Sequence, residues 1–235
     1  SLASLPFAGA GRAAFSRAAC ARPSANCWAI FFASSLPPSR RMLPSHSGRS
    51  ASCRPAREEW TRAVKIAFAP MEGLTGALYR QAHCRWFGGV DRYFIPFITP
   101  TQDHRFTKRE LREILPEHNG GLTAVPQLLV RRAEDFLWAA GELAAMGYPE
   151  INLNLGCPSG TVVAKGKGSG FLGLPEELER FLDTVFDAAP CAVSIKTRLG
   201  LREPEEFGPL LALFQRYPLA ELIVHPRVQK DMYKN

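Results

Sequence analysis

The sequence lacks any long hydrophobic run. Its 235 residues are 46% apolar, which is enough for one substantial core. No apolar stretch, however, approaches the roughly 18 residues that a membrane-spanning helix needs. The sequence therefore predicts a soluble globular protein that does not enter a membrane.

Cysteine is sparse, and the cysteines do not form the pattern of a disulfide framework. The six cysteines are spread along the whole chain: Cys20, Cys27, Cys53, Cys84, Cys157 and Cys191. Their spacing matches neither a set of disulfides nor a zinc site. We therefore predict no metal site and a reducing compartment, the cytoplasm.

Acidic residues are absent before Glu58. Residues 1–65 hold ten Lys and Arg against two Glu, a net charge of +8, whereas residues 66–235 carry −1. The excess of basic residues thus belongs to the N-terminal segment and does not by itself indicate a nucleic-acid partner. Residues 1–63 are rich in Ser, Ala, Arg and Pro without periodicity, which predicts disorder. The same composition is typical of an organellar transit peptide. In a third interpretation Val64 is an alternative start, and the preceding segment is not native protein.

From Lys65 onward, short apolar runs alternate with amphipathic segments. Strands are predicted at 66–69, 92–98, 123–129, 150–155, 192–197 and 222–225. Helices are predicted at 75–86, 108–115, 133–146, 175–188 and 205–216. Such alternation predicts parallel strands with helical crossovers, either in a (β/α)8 barrel or in a doubly wound sheet.

Polar residues at the carboxyl ends of these strands favour the barrel. They are Pro70, Met71, Glu72, Gln127, Asn154, Cys157, Lys196, Arg198, His225 and Arg227. In a (β/α)8 barrel such ends converge on one mouth, whereas a doubly wound sheet would more often carry G-x-G-x-x-G after its first strand. The first turn here reads A-P-M-E-G-L-T-G. We predict an α/β fold in which residues 64–235 form a (β/α)8 TIM barrel, truncated after about strand six.

The segment I-N-L-N-L-G-C-P, residues 151–158, ends an apolar strand with a cysteine. Alternation places Asn152 and Asn154 on the face opposite the aliphatic residues. A lone cysteine is more often a small buried apolar residue, but the amides and the fixed backbone beside Cys157 favour a reactive thiol. The Gly-rich stretch 159–170 is predicted to be flexible and to close over a substrate with Lys165.

Several motifs in order resemble those of one family. They are A-P-M-E-G-L-T (69–75), P-Q-L (126–128), I-N-L-N-L-G-C-P (151–158), K-G-K-G-S-G (165–170), I-K-T-R-L-G (195–200) and V-H-P-R-V-Q-K-D-M-Y (224–233). From residue 64 onward the chain resembles the N-terminal two-thirds of the catalytic barrel of tRNA-dihydrouridine synthases. The resemblance implies an FMN-dependent (β/α)8 enzyme that reduces the C5–C6 double bond of uridine in tRNA to 5,6-dihydrouridine. NADPH is the electron donor that it implies.

The resemblance also implies roles for individual residues. Cys157 matches the proton donor, and a thiol with an ordinary pKa of about 8.5 is mostly protonated near neutral pH. The FMN-binding positions that it implies are Pro70, Met71, Gln127, Lys196 and His225, with Lys196 and His225 supplying positive charge. The substrate-binding positions are Asn154, Arg198 and Lys165. The two-faced amide of Asn154 suits the donor and acceptor pattern of uracil.

Two departures from the family pattern leave alternatives open. Pro226 and Val228 replace the second and fourth residues of the usual H-G-R-T, and the chain ends before strands seven and eight and the helical C-terminal domain of such enzymes. An inactive truncated fragment is therefore one alternative. Another FMN-dependent TIM-barrel oxidoreductase is a second, although it would not explain the complete order of motifs. The sequence does not indicate which uridine is the target, whether the donor is NADPH or NADH, or what Glu72 does.

Overall fold

A computed structural model of the chain describes residues 64–233. The three interpretations of residues 1–63, which are disorder, a transit peptide and a non-native leader, fall outside the described residues. They stay predictions.

The described part of the chain forms one parallel sheet with helices between its strands. The strands are β1 (Ala67–Phe68), β2 (Arg92–Ile98), β3 (Ala124–Leu128), β4 (Glu150–Leu155), β5 (Ala192–Arg198) and β6 (Leu222–His225). The helices are α1 (Ala77–Trp86), α2 (Lys108–Ile114), α3 (Ala133–Ala145), α4 (Gly160–Val163), α5 (Pro175–Ala188) and α6 (Phe207–Phe214). None of these helices is long and apolar enough to cross a bilayer.

The order of the strands matches the first six units of a (β/α)8 barrel. Each strand pairs in parallel with the next along the chain, from β1 to β6, without reversal. A doubly wound sheet would reverse its order where the chain returns to the other side of the first strand. The predicted (β/α)8 fold with six strands is confirmed, and each predicted element agrees with its bounds to within two residues.

Helices cover the outer face of the sheet and form its main core. Outward-facing strand residues such as Ile151, Leu153 and Ile195 pack with helix residues such as Phe136 and Leu182 in one large apolar cluster. The inner face has a smaller apolar cluster, formed by Ala67, Phe94, Val125 and Ile223. The other buried side chains of this face are polar, and they lead towards the carboxyl ends of the strands.

An ion cluster of Arg92, Glu150 and Glu221 lies at the opposite, amino-terminal end of the barrel interior. The Nη1 of Arg92 donates to Glu221 at 2.7 Å, and its Nη2 donates to Glu150. Arg92 begins β2, Glu150 begins β4 and Glu221 lies directly before β6, and these strands are not neighbours in the sheet. One side chain can join these strands only because the sheet curls around it.

Candidate active site

The carboxyl ends of β3 to β6 bring polar side chains to one mouth. Asn154 lies level with Lys196 across β4 and β5, and Arg198 lies level with His225 across β5 and β6. Gln127 reaches the same site from β3 through a hydrogen bond to Asn154. Residues that lie level in parallel neighbours point to the same face, so these five predicted site residues share the barrel interior.

The backbone around Cys157 is hydrogen-bonded on several sides. The side-chain oxygen of Asn154 accepts the N–H groups of Gly156 at 3.0 Å and Cys157 at 2.9 Å. The carbonyl of Cys157 accepts the backbone N–H of Ser169 at 3.1 Å and its hydroxyl at 2.8 Å. Gln229 donates to the next carbonyl along, at 3.3 Å. The thiol is therefore attached to a stretch of backbone that hydrogen bonds from three sides hold in place.

The half-buried thiol of Cys157 is in an environment that keeps it protonated. Burial raises its pKa above the ordinary value, and the carboxylate of Glu72 raises it further. A backbone hydrogen bond from Ser159 and the charges of Arg198 and Lys196 oppose that shift without reversing it. The raised pKa favours the protonated thiol at neutral pH, which can act as an acid, over the thiolate, which would act as a nucleophile.

Most hydrogen-bonding groups of the Asn154 amide are already used within the protein, which its sequence context does not indicate. Its oxygen uses both lone pairs on the loop N–H groups, and its Nδ2 donates to the side-chain oxygen of Gln127 at 2.8 Å. One N–H remains. In this conformation Asn154 has only one donor left for a substrate, and its predicted contact with uracil stays a prediction.

Lys196 brings an uncompensated charge into the barrel. Burial and the neighbouring Arg198 lower its pKa to about 8. Within residues 64–233 no carboxylate lies close enough to form an ion pair with Lys196. Such an ammonium group attracts an anion or a developing negative charge.

His225 is neutral at physiological pH. Burial lowers its pKa to about 4, and the cations Arg198, Lys196 and Arg227 contribute to the same shift. Burial and the three nearby cations thus disfavour a positive charge on His225, and the predicted contacts of Lys196 and His225 with a flavin stay predictions.

Arg198 is buried, with about 1% of its surface exposed. Its guanidinium donates to three backbone carbonyls, those of Gly156 at 2.8 Å, Val228 at 3.0 Å and Met232 at 3.0 Å. Tyr233 covers it, with its ring centre 5.5 Å from the guanidinium carbon. In this conformation Arg198 fastens the Cys157 loop to the segment after β6, and its predicted contact with a substrate stays a prediction.

The segment that follows Cys157 is folded rather than an open flexible loop. It forms α4 and a 3₁₀ helix at Gly168–Gly173, and Ser169 is fully buried. A Cβ at Gly168 would lie 2.8 Å from the carbonyl oxygen of Cys157, so the glycine permits close packing. Lys165 is exposed at the end of α4, and Lys167 is half-buried, which lowers its pKa. The segment was predicted to be a flexible loop, but its glycines allow close contact with neighbouring backbone instead.

Pro70 and Met71 lie after β1, at the edge of the mouth. Pro70 is half-buried and Met71 is exposed. Glu72 follows them on the rim, 3.8 Å from Arg109, and acts electrostatically on Cys157. The structure thus places Glu72, to which sequence reasoning assigned no role, on the rim of the mouth.

A groove of about 630 Å³ lies between α1 and α2, beside this rim. Its lining includes Glu72, Tyr79, Phe97, Arg109 and Glu113. None of the predicted site residues lines it, and the groove lacks the thiol and the unpaired ammonium. The mouth of the barrel is therefore the better candidate for an active site.

Sequence reasoning missed four residues that hold the site together. They are Asn152, Ser169, Ser194 and Gln229. Period-two alternation already placed Asn152 on the face of Asn154, so its burial next to the site was foreseeable. The contacts of the other three depend on how distant segments fold together, which no local pattern reports.

The comparisons with known proteins agree with this geometry. The family model for dihydrouridine synthases (Dus) matches residues 67–235. A probable tRNA-dihydrouridine synthase of Staphylococcus aureus (strain COL) is 31% identical over 178 residues, which cover 74% of this chain and 54% of that protein. A probable tRNA-dihydrouridine synthase 2 of Bacillus subtilis (strain 168) is 28% identical over 170 residues, 72% of this chain and 52% of that protein.

The chain thus spans about half the length of the curated relatives that it matches. The matched region contains every strand of the described barrel and all residues at its mouth. Because the family model covers well over half of the chain, the protein belongs to the dihydrouridine synthase family.

Proposed function

We propose that this chain carries the catalytic barrel of an enzyme that reduces uridine in tRNA to 5,6-dihydrouridine, with FMN as cofactor and NADPH as electron donor. The observation that supports it best is the half-buried thiol of Cys157, whose pKa burial raises, at the same mouth as Lys196, which forms no ion pair within residues 64–233. A reduction that adds a hydride and a proton to a polarised double bond requires such an acid and such a charge.

The residues at the mouth fit a flavin. Lys196 offers a cation without a partner, and neutral His225 lies beside it. Gln127 retains one N–H and one lone pair, since the rest of its amide is used by Asn152 and Asn154. These groups suit the hydrogen-bonding edge of an isoalloxazine ring, and Pro70 and Met71 suit its rim. When bound, FMN supplies the hydride for the uracil double bond.

The chain's own residues orient the base and supply the proton. The remaining N–H of Asn154 donates to a uracil carbonyl, which fixes the base and withdraws electrons from its double bond. Cys157 holds the proton for the carbon that does not receive the hydride. The charge of Lys196 stabilises negative charge in the ring system.

A tRNA substrate requires the target uridine to leave its stack before it enters the mouth, at a cost of a few kcal/mol. Lys165 is exposed beside the Cys157 loop, where it suits a backbone phosphate. The thiol must stay reduced to serve as an acid, a condition that the cytoplasm meets, and we place the reaction there.

The test is the formation of dihydrouridine. Purified chain with FMN and NADPH is incubated with tRNA that lacks dihydrouridine, and the nucleosides are analysed by mass spectrometry. We expect product from the wild-type chain and from Cys191→Ala, whose half-buried thiol lies at the start of β5. Cys157→Ala is expected to reduce the rate by about 10²-fold or more, as for the loss of a general acid.

An FMN titration separates the alternatives. Saturable FMN binding without product formation supports an inactive fragment. Product formation that is equally fast in Cys157→Ala contradicts the assignment of the proton donor. Binding of FMN with reduction of another unsaturated compound, but not of tRNA, favours a different flavin oxidoreductase.

A further inference from the structure

A chain of buried polar side chains runs from the Cys157 loop into the barrel, beyond the residues that the proposed function uses. Its inner members are Asn152 on β4 and Ser194 on β5, and both are fully buried. They lie level with each other in the sheet. Neither residue has a role in the proposed reaction.

The chain is continuous. The oxygen of Asn154 accepts the loop N–H groups, and its Nδ2 donates to Gln127 at 2.8 Å. The Nε2 of Gln127 donates to the oxygen of Asn152 at 2.8 Å. The Nδ2 of Asn152 then donates to the hydroxyl oxygen of Ser194 at 2.9 Å. We call these four residues (Asn154, Gln127, Asn152 and Ser194) the amide chain.

The hydrogen bonds of the amide chain run in one consistent direction, from the loop to Ser194. If the amide of Asn154 were turned over, its NH₂ would face two backbone N–H donors, and its oxygen would face the oxygen of Gln127. Each amide therefore dictates the orientation of the next one. Ser194 completes the chain, because a hydroxyl accepts from Asn152 and still has a proton to donate elsewhere.

Packing alone does not require polar residues at these two positions. An apolar pair of similar shape would fill the same interior space, but it would leave the Nε2 of Gln127 without its acceptor. The amide of Asn152 gives the chain a direction, and the hydroxyl of Ser194 accepts its N–H. With this order of donors and acceptors, the side-chain oxygen of Asn154 faces the loop and accepts the N–H of Cys157.

We propose that Asn152 and Ser194 are positioning residues for Cys157, which hold the amide of Asn154 in the orientation that fixes the cysteine loop. The inference rests on the proposed function only in treating Cys157 as the working residue. Neither Asn152 nor Ser194 touches the thiol, so they act through Gln127 and Asn154.

The test measures the reactivity of the Cys157 thiol without a cofactor or a substrate. The full 235-residue chain is alkylated with iodoacetamide across a range of pH, and each cysteine is followed separately by mass spectrometry. The variants are Ser194→Ala and Asn152→Leu. Ile195→Val is the matched control, because this neighbour of Ser194 points to the helices and belongs to the outer apolar core.

We expect Ser194→Ala and Asn152→Leu to alkylate Cys157 at least threefold faster at pH 7.5 than the control does. Their pH midpoint should also lie lower, since a loosened loop admits water and weakens the burial that raises the pKa of the thiol. Cys191 reports on general loosening, because it too is half-buried with a raised pKa, and its rate should stay within twofold.

Equal rates and midpoints for Cys157 in Ser194→Ala, Asn152→Leu and Ile195→Val would overturn the inference. A parallel increase at Cys191 would also count against it, since it would mean that the whole fold had loosened. Alkylation needs neither FMN nor tRNA. A failure to form dihydrouridine therefore leaves this result standing, and a failure here leaves the proposed function untouched.

Discussion

The side-chain oxygen of Asn154 accepts the backbone N–H of Cys157 at 2.9 Å. Together with the N–H of Gly156, this bond uses both lone pairs of the amide oxygen. The residue that resemblance assigns to the substrate is thus also the residue that positions the proposed acid. A uracil base has both C=O and N–H groups on its edge, and in this conformation Asn154 can meet only a carbonyl.

Two substitutions of Asn154 separate its two tasks. Asn154→Asp keeps the acceptors for the loop but loses both N–H donors, whereas Asn154→Ala loses everything. We expect the aspartate to lower kcat/KM for dihydrouridine formation by about tenfold or more, because a hydrogen bond to the substrate is worth about 1–3 kcal/mol. The alkylation rate of Cys157 should rise only in the alanine variant. A rise in both variants would mean that the acceptors do not hold the loop.

Arg198 is predicted to contribute more to stability than to binding. Arg198→Met keeps the apolar stem but leaves three carbonyls without their donor, so we expect a loss of about 3 kcal/mol in the free energy of unfolding. Urea denaturation measures it. The matched control is Arg216→Met, which removes an exposed guanidinium paired with Glu179 at 2.5 Å and should cost far less, because exposed ion pairs contribute little to stability. Equal losses would contradict the interior role.

Gly168 is predicted to tolerate no side chain. Its φ is +56°, and an added Cβ would lie 2.8 Å from the oxygen and 2.9 Å from the Cβ of Cys157. We expect Gly168→Ala to cost about 2 kcal/mol in thermal or urea unfolding and to displace the thiol. In Gly160→Ala, within the same segment, the new Cβ meets nothing within 4 Å, and the change should stay within about 0.5 kcal/mol. Similar behaviour of the two variants would show that the contact with Cys157 is loose.

The lowered pKa of His225 predicts a pH dependence of stability. Between pH 6.5 and about 4 the unfolded chain binds a proton at this residue that the folded chain excludes. Stability therefore falls as the pH falls through this window; the shift corresponds to roughly 3 kcal/mol, and solvent screening of this half-buried group reduces the expected loss to about 2 kcal/mol. His225→Gln should remove that part of the slope, which urea unfolding at several pH values measures. A constant difference between variant and wild type across the window would show that His225 titrates normally.

Much of the fold could be predicted because its signals are local. The strand at 150–155 follows from an alternation of aliphatic residues and asparagines, and the helix at 175–188 begins with a proline and two glutamates. The regular alternation of strands and helices then indicated parallel strands with helical crossovers. The stretch 159–170 was read wrongly because glycine is compatible both with mobility and with close contact, and only the neighbours of Gly168 and Gly170 decide between them.

The site was harder to predict than the fold. The sequence placed Cys157, Lys196 and His225 at strand ends, but their protonation depends on which charges meet in space. Burial, together with the charges of Arg198 and Arg227, lowers the pKa of His225. The guanidinium of Arg198 turns inward because carbonyls from two distant segments converge on it. Such relationships arise from the curl of the sheet, which a linear pattern does not report.

The ion cluster at the base of the barrel has a consequence for how the chain folds. Arg92 and Glu221 are separated by 129 positions, so their pairing has to wait until the intervening strands are in place, and loop closure of that length carries a high entropic cost. Interactions that form late contribute little to the folding rate and mainly slow unfolding. We therefore expect the cluster to slow unfolding of the curved sheet, and so to lengthen the time for which the thiol and the ammonium at the far end stay together.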